Sequence, residues 1–268
     1  QGLNSNIIYS ILQDKNKTIW VGTDKGLNRF NGNKFESIPI VLNENKSNFL
    51  NHKNSKNPPF ENAVWSMMQD KNSKLWFGTN DGVFCYDGKE FSRFLDNETL
   101  INKDSLDLKG IFSILEAKDG TIWFTECADE GVSCFDGINL FNVIPYKEIG
   151  RTDRVIEDNK GNLWFATAFK GVGFYNGKTF TQNIFNQKKL DGQYNILEDS
   201  KGTIWFDTQE GLGCYDGKSF NTFVEKDGIS VKNFIPILMD DSGNIWFSEK
   251  GMKLYKYDGK TFTNYSEY

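Results

Sequence analysis

The chain has 268 residues, with 31 Lys and Arg against 36 Asp and Glu, for a formal charge of −5. The cations are scattered through turns, which excludes the basic stripe of a nucleic-acid binder. No run of 18 apolar residues occurs, so no membrane-spanning helix is encoded.

The dominant pattern is a repeat anchored at Trp20, Trp76, Trp123, Trp164, Trp205 and Trp246, which lie 56, 47, 41, 41 and 41 residues apart. A period near 40 with four short strand-like runs per copy predicts an all-β fold, a six-bladed β-propeller of four-stranded antiparallel blades. The blades are expected at 1–38, 62–95, 109–145, 151–184, 192–224 and 232–268, forming a single domain. Nine and eight residues before the tryptophans stand adjacent apolar pairs such as Ile11-Leu12 and Met67-Met68. These predict an innermost strand buried on both faces.

In chain order, copy 1 is followed by an insertion, Ser37 to Asn62, that is rich in Asn and Lys. It carries the chain's single histidine, His52, and is read as a binding lid or a tolerated surface loop. Copy 2 is followed by a shorter insertion, Leu95 to Gly110, read as a binding loop or a tolerated surface loop. Copy 3 adds Glu126, Asp129 and Glu130 around its second turn, a local acidic patch that reads as a solvated turn. Copy 4 reads Arg151-Thr152-Asp153-Arg154, where other copies place a small residue such as Ser10, Ser66 or Ser113 at the Arg154 position. A guanidinium there suits a carboxylate, sulfate or phosphate group.

Copy 5 parses most clearly. Tyr194 to Asp199 is an apolar run ending in acid, and Ser200-Lys201-Gly202 is a turn. Thr203 to Thr208 is a β-branched and aromatic strand, Leu212 to Tyr215 a third strand, and Ser219 to Phe223 a fourth. Copy 6 closes the chain, so no strand is shared between the termini. The chain opens at Gln1 with neither Met nor signal-peptide regions, which reads as a processed or truncated form.

Eleven residues before the tryptophans stand Tyr9, Trp65, Phe112, Asp153, Tyr194 and Ile235. The aromatic members are candidates for stacking on a sugar, a peptide or another flat ligand, or for packing between blades. Tyr9, Trp65, Phe112, Asp153, Arg154 and Tyr194 form the candidate ligand-binding set, with Glu126, Asp207 and Glu249 near the ends of second strands. No catalytic residue, metal site or cofactor is assigned. Four cysteines carry no metal spacing. Cys85, Cys134 and Cys214 read as small buried hydrophobes, while a local Cys127–Cys134 disulfide is left open.

The run Asp14-Lys15-Asn16-Lys17-Thr18-Ile19-Trp20-Val21-Gly22-Thr23-Asp24-Lys25-Gly26-Leu27-Asn28-Arg29-Phe30 resembles the two-component regulator propeller repeat. Gly2-Leu3-Asn4-Ser5-Asn6 is similar to that family's lead-in. The resemblance recurs six times and covers nearly the whole chain. It implies a propeller from an extracytoplasmic, periplasmic or secreted sensor region, as in bacterial hybrid sensor kinases that detect glycan fragments. Trp123-Phe124-Thr125-Glu126 and Trp246-Phe247-Ser248-Glu249 look like the blade motif of streptogramin B lyases, also propellers. The histidines of that family's elimination chemistry are missing here, so only the fold carries over. The expected function is a non-catalytic ligand-binding or sensory module for an oligosaccharide, peptide or other small ligand. The alternatives are a protein-interaction scaffold and a carboxylate-dependent lyase or hydrolase.

Overall fold

The computed structural model describes residues 2–40, 63–127, 129–182, 195–208, 211–226, 228–249 and 253–266. Each tryptophan-bearing copy forms one antiparallel meander in sequence order. Blade 1 is Ile8–Gln13, Ile19–Thr23, Gly26–Phe30 and Phe35–Ile38, and blade 2 is Val64–Gln69, Leu75–Thr79, Gly82–Tyr86 and Phe91–Arg93. Blade 3 is Ile111–Glu116, Ile122–Glu126, Gly131–Phe135 and Asn139–Pro145, and blade 4 is Thr152–Glu157, Leu163–Thr167, Gly171–Tyr175 and Phe180–Thr181. Blade 5 is Ile196–Glu198, Ile204–Thr208, Gly211–Tyr215 and Phe220–Phe223, and blade 6 is Phe234–Met239, Ile245–Glu249, Lys253–Tyr257 and Phe262–Asn264. The fold is a six-bladed β-propeller with four-stranded antiparallel blades, as the sequence predicts. The chain falls into two compact units, Gln1–Val143 and Ile144–Tyr268.

A carboxylate closes the turn between first and second strands. Asp14 Oδ1 accepts the amides of Asn16 and Thr18 at 2.9 Å, and Oδ2 accepts Trp20 Nε1 at 2.9 Å. The Asp stands six residues before the tryptophan, which brings one short side chain within reach of both the turn amides and the indole. Blade 3 has Ala117 at that position, and Trp123 Nε1 donates instead to Thr121 Oγ1 at 2.9 Å.

Packing between blades within each unit follows one rule. The tryptophan face of one blade meets the opposite face of the next. Trp20 and Leu27 of blade 1 pack with Val64, Leu75 and Phe77 of blade 2. Trp76 and Val83 of blade 2 pack with Ile111, Ile114 and Phe124 of blade 3. In the second unit, Trp164 and Val172 meet Ile196 and Phe206, and Trp205 and Leu212 meet Phe234 and Phe247. Polar staples join the same pairs. Ser10 Oγ donates to the Val64 carbonyl at 3.3 Å and Ser66 Oγ to the Ile111 carbonyl at 3.2 Å. The Lys15 and Lys71 amides donate to Gln69 Oε1 and Glu116 Oε2 of the following blade, both at 2.7 Å.

The expectation that both faces of every first strand are buried holds only in part. Ile114, Val155 and Ile196 are 8%, 2% and 1% exposed, but Ile11 is 68% and Leu238 49% exposed. The exposure is local to the first strand of blade 1, since Val21, directly across from Ile11 on the same face, is only 2% exposed. The corresponding face of blade 2, carrying Val64 and Met67, is covered by blade 1.

The shorter insertion is ordered rather than a loose loop. Phe94–Asp96 forms a 3₁₀ turn, and Ile101–Asn102 pairs in parallel with Asn139 and Leu140 as a fifth strand on blade 3. Leu106 and Leu108 are 6% and 0% exposed and join the core between blades 2 and 3. The longer insertion, with His52, lies outside the described residues apart from Ser37 to Ile40.

Candidate functional site: a rim of bulged residues

The first strands break register near their starts. The shift falls between Ile8 and Ser10, Val64 and Ser66, Ile111 and Ser113, and Thr152 and Arg154. The extra residue of each β-bulge is Tyr9, Trp65, Phe112 or Asp153. Four of the predicted ligand-binding residues therefore share one structural role, a bulge that re-aims a side chain at the end of a sheet. Tyr194 lies outside the described residues, and in blade 6 the shift falls between Pro236 and Leu238.

The bulge also shows in the packing. Ile111 and Ile114 are three residues apart yet face the same core. An unbroken strand puts positions three apart on opposite faces.

In the first unit the bulged side chains form a row. The rings of Tyr9 and Trp65 stack with centroids 4.0 Å apart and planes at 29°. Trp65 and Phe112 follow at 4.8 Å and 54°. The row joins blades 1, 2 and 3, so inter-blade packing is one of its roles. It is also open to solvent: Tyr9 is 39% exposed, and Trp65 and Phe112 are half-buried. Trp65 Nε1 donates to Asn80 Oδ1 at 2.6 Å, which fixes the indole against the turn between second and third strands. Backbone bonds from Asp24 to Ile7 and from Cys127 to Gly110 place these turns beside the first-strand starts, as expected.

The acidic candidates separate into different roles. Four blades carry Thr three residues after the tryptophan, and each hydroxyl donates to a glycine carbonyl across the turn: Thr23 to Gly26, Thr79 to Gly82, Thr167 to Gly171 and Thr208 to Gly211. Glu126 and Glu249 take that slot in blades 3 and 6. Glu126 is only 2% exposed, so it belongs to the interior rather than to the solvated acidic turn expected there. Burial, then the neighbouring Glu130 carboxylate, push its pKa up to about 10, so it is protonated at neutral pH. Glu130 in turn accepts the Asp107 and Leu108 amides at 2.7 and 3.3 Å and ties down the ordered insertion. Glu249 is half-buried, with Tyr255 Oη at 3.4 Å and Lys253 Nζ at 4.0 Å. Asp207 is buried, one residue out of that register, and accepts the Asn195 amide at 3.1 Å.

Blade 4 differs. Asp153 pairs with Arg151, Nε to Oδ1 at 2.8 Å, and not with Arg154. Its Oδ2 is buried without a partner, and burial raises the carboxyl pKa. Arg154 is exposed.

The four cysteines are free, so the Cys127–Cys134 bridge left open by the sequence is not formed. Burial pushes the thiols of Cys85 and Cys134 up to about 12 and that of Cys214 to about 11, consistent with the predicted packing role. Among the described residues no helix is long and apolar enough to cross a membrane.

The two component regulator propeller family matches residues 2–25 and 59–81. No curated protein matches the chain. Among solved structures, one similar fold is described as the extracellular domain of a hybrid two component system of B. thetaiotaomicron. It has a TM-score of 0.74 and 23% identity, over 96% of this chain and 34% of that one. Virginiamycin B lyase from Staphylococcus aureus is similar with a TM-score of 0.69 and 15% identity, over 98% and 85%. PorZ, a surface component of the type-IX secretion system of Porphyromonas gingivalis, is similar with a TM-score of 0.70 and 13% identity, over 100% and 42%. At these identities the likeness is one of fold. The chain spans about a third of the length of the extracellular domain. It carries the repeat of the two-component regulator propellers.

Proposed function

We propose that the chain is a non-catalytic recognition module of an extracytoplasmic sensor, binding a small or oligomeric ligand on the rim where the first strands begin. The observation that carries this reading is the row Tyr9, Trp65 and Phe112. Three aromatic residues occupy successive bulges and contact one another across blades 1 to 3, yet keep solvent access. Large rings held on a rigid sheet lose little freedom on binding, and their apolar surface suits the C–H faces of a sugar or a peptide side chain. An oligosaccharide is the favoured ligand. The family match and the extracellular address of a similar domain support the extracytoplasmic address.

A thermal-shift screen of oligosaccharides and short peptides tests the proposal. A ligand that binds only the native state raises its apparent stability. The shift is expected to vanish in Tyr9→Ala and Trp65→Ala. A ligand whose shift survives both substitutions would place the site elsewhere.

A further inference from the structure

We infer that Arg154 binds an oxyanion, a carboxylate or sulfate group, on a ligand seated at the blade 4 rim. This rests on the starts of the first strands being a binding face and adds that the ligand at blade 4 is acidic.

The register makes Arg154 unusual. Ser10 and Ser66 occupy its position in blades 1 and 2, and each uses that position to staple its blade to the next. Blade 4 gives up the small neutral donor for a long cation. That cation has no counter-ion: among the described residues Arg154 makes neither an ion pair nor a side-chain hydrogen bond. The adjacent carboxylate is turned from it, because Arg151 holds Asp153 at 2.8 Å.

Arg154 is exposed, so an external group can reach it, and it stays charged as guanidinium groups do in proteins. A guanidinium that pairs with no side chain of the described residues keeps its donors available to an external oxyanion. The planar fork of five N–H donors matches two oxygens of a carboxylate or sulfate, which a lysine would not.

Arg154→Ser tests the inference without threatening the fold, since it installs the residue that blades 1 to 3 already carry there; an unchanged melting temperature in chloride confirms folding. The probes are sodium sulfate, sodium D-glucuronate and uncharged D-glucose, titrated at constant ionic strength and read by calorimetry and thermal shift. Native protein is expected to respond to sulfate or glucuronate beyond chloride, and the substitution to weaken that response roughly tenfold or more. Response to one anion alone identifies the group and supports the inference equally. An equal response in the substituted protein, or no response in the native protein beyond chloride, overturns it. An anion response lost with Arg154→Ser, alongside oligosaccharide binding indifferent to Trp65→Ala, would remove the aromatic platform and leave the anion site standing.

Discussion

Asp70 Oδ2 accepts the indole N–H of Trp76 at 2.9 Å while Oδ1 accepts the Lys74 amide at 2.9 Å. Both side chains are buried, 5% and 3% exposed. One carboxylate thus closes a turn and satisfies the central aromatic side chain of its blade. Removing it strands a buried indole donor and a turn amide, and a hydrogen bond to a charged group contributes about 1.5–3 kcal/mol. Asp70→Ala is expected to cost on the order of 3 kcal/mol in urea unfolding. A loss below about 0.5 kcal/mol would deny the pair its structural role.

The same geometry predicts acid sensitivity. The Asn244 side chain first, then the Trp246 indole and turn amides, hold Asp240 down at about 2; the Asn139 amide and side chain do the same for Asp136. An unfolded aspartate titrates near 3.8. Carboxylates depressed in the folded state contribute stability that is present above about pH 4 and lost as pH falls toward 2. Melting temperature measured from pH 6 to pH 2 should fall steeply in that window, and less steeply in Asp240→Asn.

Glu126 carries the opposite sign. Its folded pKa of about 10 stands above the ordinary 4.5. The folded state then holds a proton the unfolded state has released, so stability declines as pH rises from 4.5 toward 10. Glu126→Gln keeps a donor for Glu130 without that penalty. It should stabilise the protein at pH 8 by on the order of 2 kcal/mol and leave it nearly unchanged at pH 4. Equal effects at both pH values would contradict the buried protonated acid.

Exposure separates two isoleucines that the repeat makes equivalent. Ile11 is 68% exposed and Ile114 8%. Ile11→Ala is expected within about 0.5 kcal/mol of the native protein, whereas Ile114→Ala should lose about 2–4 kcal/mol. Equal losses would show that the Ile11 side chain is buried in solution.

The blade architecture was legible because the spacing of Trp, Asp, Gly and paired apolar residues repeats with little variation. The bulge was hidden in the same pattern: Ile111 and Ile114 looked like one member each of two faces until their shared core was seen. The candidate aromatics were found by their repeated position, but not their mutual stacking, since side chains on different blades have no spacing in sequence. Glu126 looked solvated because it borders a polar turn; only the register shows it in the slot that Thr23 and Thr79 fill elsewhere. The Leu95 to Gly110 segment lacked a strand signal because its pairing covers two residues and its apolar anchors, Leu106 and Leu108, are isolated.

Trp65 is the centre of the aromatic row and the account's most exposed commitment. Its indole N–H, assigned among those of the seven tryptophans by substitution, can be followed in ¹H–¹⁵N spectra while an oligosaccharide that stabilises the protein is titrated in. Binding on the aromatic row moves the Trp65 signal with the binding isotherm while the core indoles of Trp20 and Trp76 stay fixed. A stationary Trp65 signal during saturable binding would contradict it.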